Sequence, residues 1–247
     1  MLRDTLVISW RNMATWSKTK PVLLFLRLAR KDVMILPNFS LTVWGDQFNI
    51  SLQTISEAES AGANTLSAHH SCPAWDDDVN DDILKKYDTK YLSGIAKRLN
   101  KENKGLNLTS SDANIFFAWC AYEINARGYS DICNIFTKDE LVRFSYGQDL
   151  ETYYQTGPGY DVVRSVGANL FNASVKLLKE SEAQDQKVWL SFTHDTDILN
   201  YLTTIGIIDD KNNLTAEHVP FMDNTFHRSW YVPQGCSCLH RKVPVFQ

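Results

Sequence analysis

The sequence predicts a mixed α/β or α+β domain, and three observations carry that prediction. The run Val188 to Thr193 (VWLSFT) is rich in β-formers and passes directly into DTDILNYLTTIG, whose apolar residues recur at helical spacing. Three earlier stretches show the same helical spacing, so helices surround a strand-to-helix switch. The composition, 44% hydrophobic and 22% charged, suits a buried core. It excludes low-hydrophobicity disorder and a collagen-like repeat, and five cysteines in 247 residues are too sparse for a disulfide-dense miniprotein. The length allows one large domain or two modest ones.

Taken in order, residues 1–44 begin with a polar start, and their one apolar run, Pro21 to Pro37, is broken by Arg27, Arg30, Lys31 and Asp32. This rules the run out as a secretory signal core or a membrane span, which needs about 20 uninterrupted apolar residues. A basic amphipathic helix over Val22 to Met34 is one reading. A stretch with no selected structure is preferred, because neither caps nor clean periodicity are present. Ile83 to Leu99 predicts a helix that ends before Gly105. Ala113 to Ala126 predicts another, with Asp112 as its cap and Gly128 at its end. Val162 to Lys179 predicts a third. The strand Val188 to Thr193 and the helix after it then place ligand chemistry at the strand's carboxyl end.

Charge is unevenly distributed. Residues 1–45 hold seven Lys/Arg against two Asp/Glu, residues 46–235 hold 16 against 27, and residues 236–247 hold two against none, within a net charge of -4. A basic arm on an acidic body raises the possibility of an anionic partner such as a polyanion or a membrane surface. Asn-x-Ser/Thr acceptor sites occur at Asn49, Asn107, Asn172 and Asn213, with a fifth at Asn38 in the basic arm. Such sites mark surface loops of secreted proteins when they are used.

The chemistry is expected at His194 and Asp195, where the strand ends and the N–H groups of the next helix make a natural anion site. An imidazole there can hold a phosphoryl oxygen, and a carboxylic acid beside it can protonate a leaving group. The bland reading of the pair, a helix cap, is the commoner one on spacing alone. The other clusters read as bland. His69, His70, Cys72, Cys236 and Cys238 match no standard zinc spacing. Asp76, Asp77, Asp78, Asp81 and Asp82 lack the Gly and terminal Glu of a calcium loop and read as a solvated acidic loop. His218 and His227 read as surface or packing residues, and Gly157-Pro158-Gly159 reads as a turn.

The string KVWLSFTHDTDILNYLTTIGI, together with GDQFNISLQTISEAESAGANTLSA, WCAYEINARGYSDICNIFTKDEL and GPGYDVVRSVGANLFNASVKLLK, resembles the histidine acid phosphatases. Within them it is most similar to the secreted repressible acid phosphatases of budding yeasts. The resemblance runs from about Gly45 to Gly235. It implies a partial histidine-phosphatase fold: a central sheet flanked by helices, a mainly helical subdomain at about 80–150, and incompleteness at both ends. The strand Val188 to Thr193 is accordingly expected to lack paired neighbours. Residues 1–44 and 236–247 do not resemble the family and read like family sequence translated out of frame.

The resemblance implies a phosphomonoester substrate and a phosphohistidine intermediate, with His194 holding phosphate, Asp195 as proton donor and no metal or other cofactor. It implies neither a nucleic-acid partner nor a membrane span, and leaves oligomeric state open. It also implies a Cys120–Cys133 disulfide, an unpaired Cys72, and a secreted or cell-wall location. The lack of a signal peptide in these 247 residues instead predicts intracellular retention of this product. The family's nucleophile lies in an Arg-His-Gly motif, and no such string occurs here; nor can its further phosphate-binding arginine be identified in residues 1–44. The expectation is a catalytically silent chain, the alternative a non-catalytic binding protein using residues 1–45.

Overall fold

The computed structural model describes residues 22–28, 49–180, 188–208, 213–217 and 226–233. Three strands, β1 (Val22–Leu28), β2 (Asn49–Ile55) and β3 (Val188–Phe192), form a parallel sheet in the order β2-β1-β3. Leu23 of β1 stands opposite Ile50 on one side and Val188 on the other, and Arg27 stands opposite Thr54 and Phe192. The run VLLFLRL, apolar but for Arg27, is the pattern of a parallel strand with neighbours on both edges. Two expectations are corrected here. Residues Val22–Leu28 are a strand, neither an amphipathic helix nor unstructured, and β3 is paired along β1. The remainder of the Val22 to Met34 reading lies outside the described residues.

Five helices of ten residues or more occur among the described residues: α1 (Asp81–Glu102), α2 (Ser110–Arg127), α3 (Lys138–Gln155), α4 (Val162–Glu180) and α5 (Asp195–Thr204). The chain divides into two compact units, one holding the sheet with α4 and α5, the other holding α1, α2 and α3.

In the sheet unit, α4 and α5 pack through Gly167. A Cβ at that position would lie 2.2 Å from Thr204 Oγ1 and 2.4 Å from the Asn200 carbonyl oxygen, so only a hydrogen fits. Arg164 Nη1 donates to the Thr203 carbonyl at 3.0 Å, and Val163, Val166, Leu199, Tyr201 and Leu202 are buried. Asn200 and Thr203 bury side-chain polar atoms without hydrogen-bond partners, a cost that the surrounding apolar burial must exceed.

In the helical unit, α2 and α3 each begin with a capping box. Thr109 is the N-cap of α2, accepting from the Asp112 N–H at 3.3 Å while the Asp112 carboxylate accepts the Thr109 N–H at 2.8 Å. Asp112 is thus the third residue of the helix and not its cap; the Ser110–Ser111 turn precedes it because Thr109 already supplies the side-chain oxygen. Thr137 and Glu140 repeat the arrangement in α3. Gly128 closes α2 at φ 80°, a left-handed conformation that glycine adopts without steric cost. Phe117 stacks on Phe136 and Phe144 at centroid distances of 3.8 and 4.5 Å, and Cys120 is bonded to Cys133. Arg98 of α1 donates to both carboxylate oxygens of Glu140, at 2.8 and 2.6 Å, and to the Ile135 carbonyl. The hydroxyls of Tyr146, Tyr153 and Tyr154 on α3 donate to Thr215, Asn213 and Leu214.

Candidate active site

The sheet is parallel, so all its carboxyl ends lie on one edge, where α/β proteins hold ligands. Strand β2 ends at Ile55 and delivers Glu57; β3 ends at Phe192 and delivers Thr193 and His194. His194 caps α5 with extended backbone (φ -83°, ψ 161°), and its Nε2 lies 2.9 Å from Glu57 Oε1. Both side chains are largely buried, so the contact replaces water that each group has lost. Asp195, the first residue of α5, is exposed, and its Oδ1 accepts the Thr196 N–H at 3.0 Å. The two residues thus divide between an imidazole held by Glu57 and a solvent-facing carboxyl.

Below them lies a second, buried layer. Asp197 Oδ1 is 2.9 Å from His69 Nδ1, and its Oδ2 accepts from Thr193 Oγ1 at 3.1 Å. The Thr193 hydroxyl also reaches the Leu66 carbonyl. Asn64 in turn accepts the N–H groups of Leu66 and Ser67 at 2.8 and 2.7 Å and receives a bond through its carbonyl from Asn169 of α4. The segment 64–69 is therefore stitched to the start of α5, and Asp197 holds His69 while its own backbone belongs to the first turn that presents Asp195. His69 stacks beside His70 and Trp75.

Sequence reasoning missed Glu57, Thr193 and Asp197. The signal for Asp197 was the acid placed three residues after the His194 cap; Glu57 had only its place just after a strand end. In the helical unit, His227, read as a surface or packing residue, donates or accepts through Nδ1 at 2.9 Å from Asp149 Oδ2, and Asp149 Oδ1 accepts the Arg228 N–H at 2.8 Å. Burial pushes the Asp149 carboxyl above its usual range, opposed by the Arg228 and His227 bonds.

The remaining sequence-predicted residues are dispersed. Among the sequons, Asn107, Asn172 and Asn213 are exposed, Asn49 opens β2, and Asn38 lies outside the described residues. Cys72 is a free thiol, half-buried. Cys236, Cys238 and His218 lie outside the described residues, and among the described residues no cluster of His, Cys, Asp or Glu has the makings of a metal site. Asp76, Asp77 and Asp78 are exposed, as a solvated loop requires, whereas Asp81 and Asp82, read as part of the same loop, form the first turn of α1. No helix among the described residues is long and apolar enough to cross a membrane.

Comparison with known proteins gives the site its context. The family model "Histidine phosphatase superfamily (branch 2)" matches residues 43–240. Over 191 residues the chain is 98% identical to the acid phosphatase PHO11 of Saccharomyces cerevisiae and 80% identical to the repressible acid phosphatase of the same yeast, covering 77% of this chain and 41% of either relative. It is 43% identical to the phytase PHO112 of Candida albicans over 197 residues, 80% of this chain and 41% of the relative. The crystal structure of the phytase from D. castellii superimposes with a TM-score of 0.79 at 33% identity, covering 89% of this chain and 48% of that one. The chain thus spans well under half the length of the curated relatives it matches.

Proposed function

The chain belongs to the histidine phosphatase superfamily, branch 2, and from that membership we propose that it carries the leaving-group side of an acid phosphatase site without the nucleophilic side. His194 would hold a phosphoryl oxygen, and Asp195 in its acid form would protonate the departing alkoxide oxygen when a nucleophile that this chain does not itself supply forms its bond to phosphorus. The observation that carries this reading is the placement of the His194-Asp195 pair at the β3-to-α5 junction, on the sheet edge where parallel strands present their ligands. The substrate class is a phosphomonoester, in keeping with relatives whose names divide between acid phosphatase and phytase.

The same geometry supports catalytic silence. The middle strand β1 ends at Leu28 and is followed in sequence by Ala29-Arg30-Lys31, and no Arg-His-Gly string occurs in the 247 residues. Losing a covalent nucleophile removes orders of magnitude of rate, because the remaining groups only bind and protonate. A secreted setting is supported by the Cys120–Cys133 bridge, which persists in oxidising compartments, and by exposed acceptor sites at Asn107, Asn172 and Asn213. Of the ends expected not to resemble the family, 1–44 and 236–247, residues 1–42 and 241–247 lie outside the family match and are proposed not to derive from the family segment. The competing function, a polyanion- or membrane-binding protein, draws on the seven Lys/Arg against two Asp/Glu in residues 1–45. Assay of the full chain with p-nitrophenyl phosphate at acid pH tests the main reading. No turnover above buffer is expected; turnover abolished by both His194→Ala and Asp195→Ala would overturn the claim of silence.

A further inference from the structure

A glutamate stands at the ring of His194. Strands β2 and β3 flank β1, and with neighbouring strands about 4.8 Å apart their ends lie roughly 10 Å from each other. Glu57, two residues past the end of β2, and His194, two past the end of β3, close that gap, with Oε1 and Nε2 meeting at 2.9 Å. The glutamate side chain is 11% exposed and the imidazole 19%, so a ligand that takes His194 must also satisfy Glu57. The other acids of this edge are turned elsewhere. Asp197 is engaged by His69 and Thr193, and the exposed Asp195 accepts the Thr196 N–H.

The chemistry of the pair restricts what can be bound there. An ionised carboxylate has acceptors and no donor, while an imidazole N–H is a donor. An anion that enters between them satisfies both only if it offers an oxygen to His194 and an O–H to Glu57. A phosphomonoester in its singly charged form has both, since one P–O–H remains until the second ionisation near ~6. A sulfate monoester of the same shape and the same single charge has oxygens alone. Against Glu57 it sets lone pair on lone pair, and in a largely buried site that unpaired contact is costly.

We propose that Glu57 is a specificity-determining residue of this site: it accepts the O–H of a singly protonated phosphomonoester while His194 donates to a second phosphoryl oxygen, and it turns away the matching sulfate ester. The inference rests on the reading of His194 as a phosphate holder and adds which anion that holder takes. Binding of this kind needs no nucleophile, so it belongs to the chain as it stands.

Titration of the full chain with phenyl phosphate and with phenyl sulfate at pH ~5, where both carry mainly one charge, tests this through the amide resonances of the first turn of α5. The wild type is expected to prefer the phosphate by about tenfold or more. Glu57→Gln, whose amide both donates and accepts, should bring the ratio close to one, chiefly by gaining affinity for the sulfate. Glu57→Ala should also lower the ratio and serves if the glutamine variant misfolds, which far-UV circular dichroism reports. Asp195→Asn should leave the ratio in place. Equal affinity of the wild type for the two esters, or a preference that survives in both Glu57 variants, overturns the proposal, as does a preference lost in Asp195→Asn and kept in Glu57→Gln. A preference that is lost in the Glu57 variants but unchanged in His194→Ala supports Glu57 as the selecting group and overturns the reading of His194 as the holder. A wild type that binds neither ester overturns both.

Discussion

Asp197 shows how a single buried carboxylate organises the candidate site. With 6% of its side chain exposed, it depends on His69 and Thr193 to replace lost water, and His69 itself is 12% exposed. Removing the imidazole leaves the carboxylate without its strongest partner in a low-dielectric setting, which costs far more than the pair contributes over an apolar substitute. His69→Ala is therefore expected to lower unfolding free energy by about 3 kcal/mol in urea titration; a loss under about 0.5 kcal/mol would contradict the role given to the pair. Two other carboxylates make opposite contributions in acid. Burial pushes Glu140 upward, but the Arg98 bond and the Thr137 N–H together hold it below its usual value. Its stabilisation is present above the unfolded value near ~4.3 and is lost as pH falls through the depressed folded value. Asp149, raised by burial, stabilises fully below ~3.9 and loses that contribution as pH rises through its folded value. Glu140→Gln should flatten the acid-side fall in stability, and Asp149→Asn should gain on the wild type as pH rises from ~4 to ~7, both read from denaturation at a series of pH values.

At the scale of elements, glycine positions separate packing from propensity. Gly167 lies in α4 where α5 crosses, and an added methyl would meet Asn200 backbone that cannot swing aside. Gly94 lies in α1 with nothing within 4 Å of an added Cβ. Gly167→Ala is expected to cost about 3 kcal/mol, and Gly94→Ala to stabilise by about 0.5–1 kcal/mol, through reduced freedom of the unfolded chain. Thermal unfolding of the two variants decides, and shifts of the same sign would refute the contrast. The helices α1, α2, α4 and α5 were legible in the sequence because their apolar spacing is regular and glycines follow three of them. Helix α3 was not singled out, since its covered side includes Asp149 and Thr152 beside Tyr146, Leu150 and Tyr153, and polar residues there break the pattern that periodicity detects. Asp149 can be buried only because His227 and the Arg228 N–H arrive from 78 and 79 residues away.

Across the whole molecule, the sheet depends on its middle strand. Because β1 joins β2 to β3 among the described residues, proline at Leu24 would remove a ladder donor from the strand both neighbours pair with. Leu24→Pro is expected to abolish hydrogen-exchange protection in both 49–55 and 188–192, while α1 to α3 keep theirs; protection surviving in 188–192 would show that β3 does not need β1. The strand-to-helix switch at His194 and Asp195 was readable from sequence alone, because it is written in contiguous residues, whereas the Cys120–Cys133 pairing came only from the family resemblance. Tertiary structure alone decided that Glu57 meets His194 across 137 residues, that His69 meets Asp197 across 128, and that a run interrupted by Arg27 is the centre of a sheet. The first contact spans the middle strand that separates β2 from β3, the second joins the turn at 68–71 to the first turn of α5, and such placements are properties of the folded chain that no local pattern encodes.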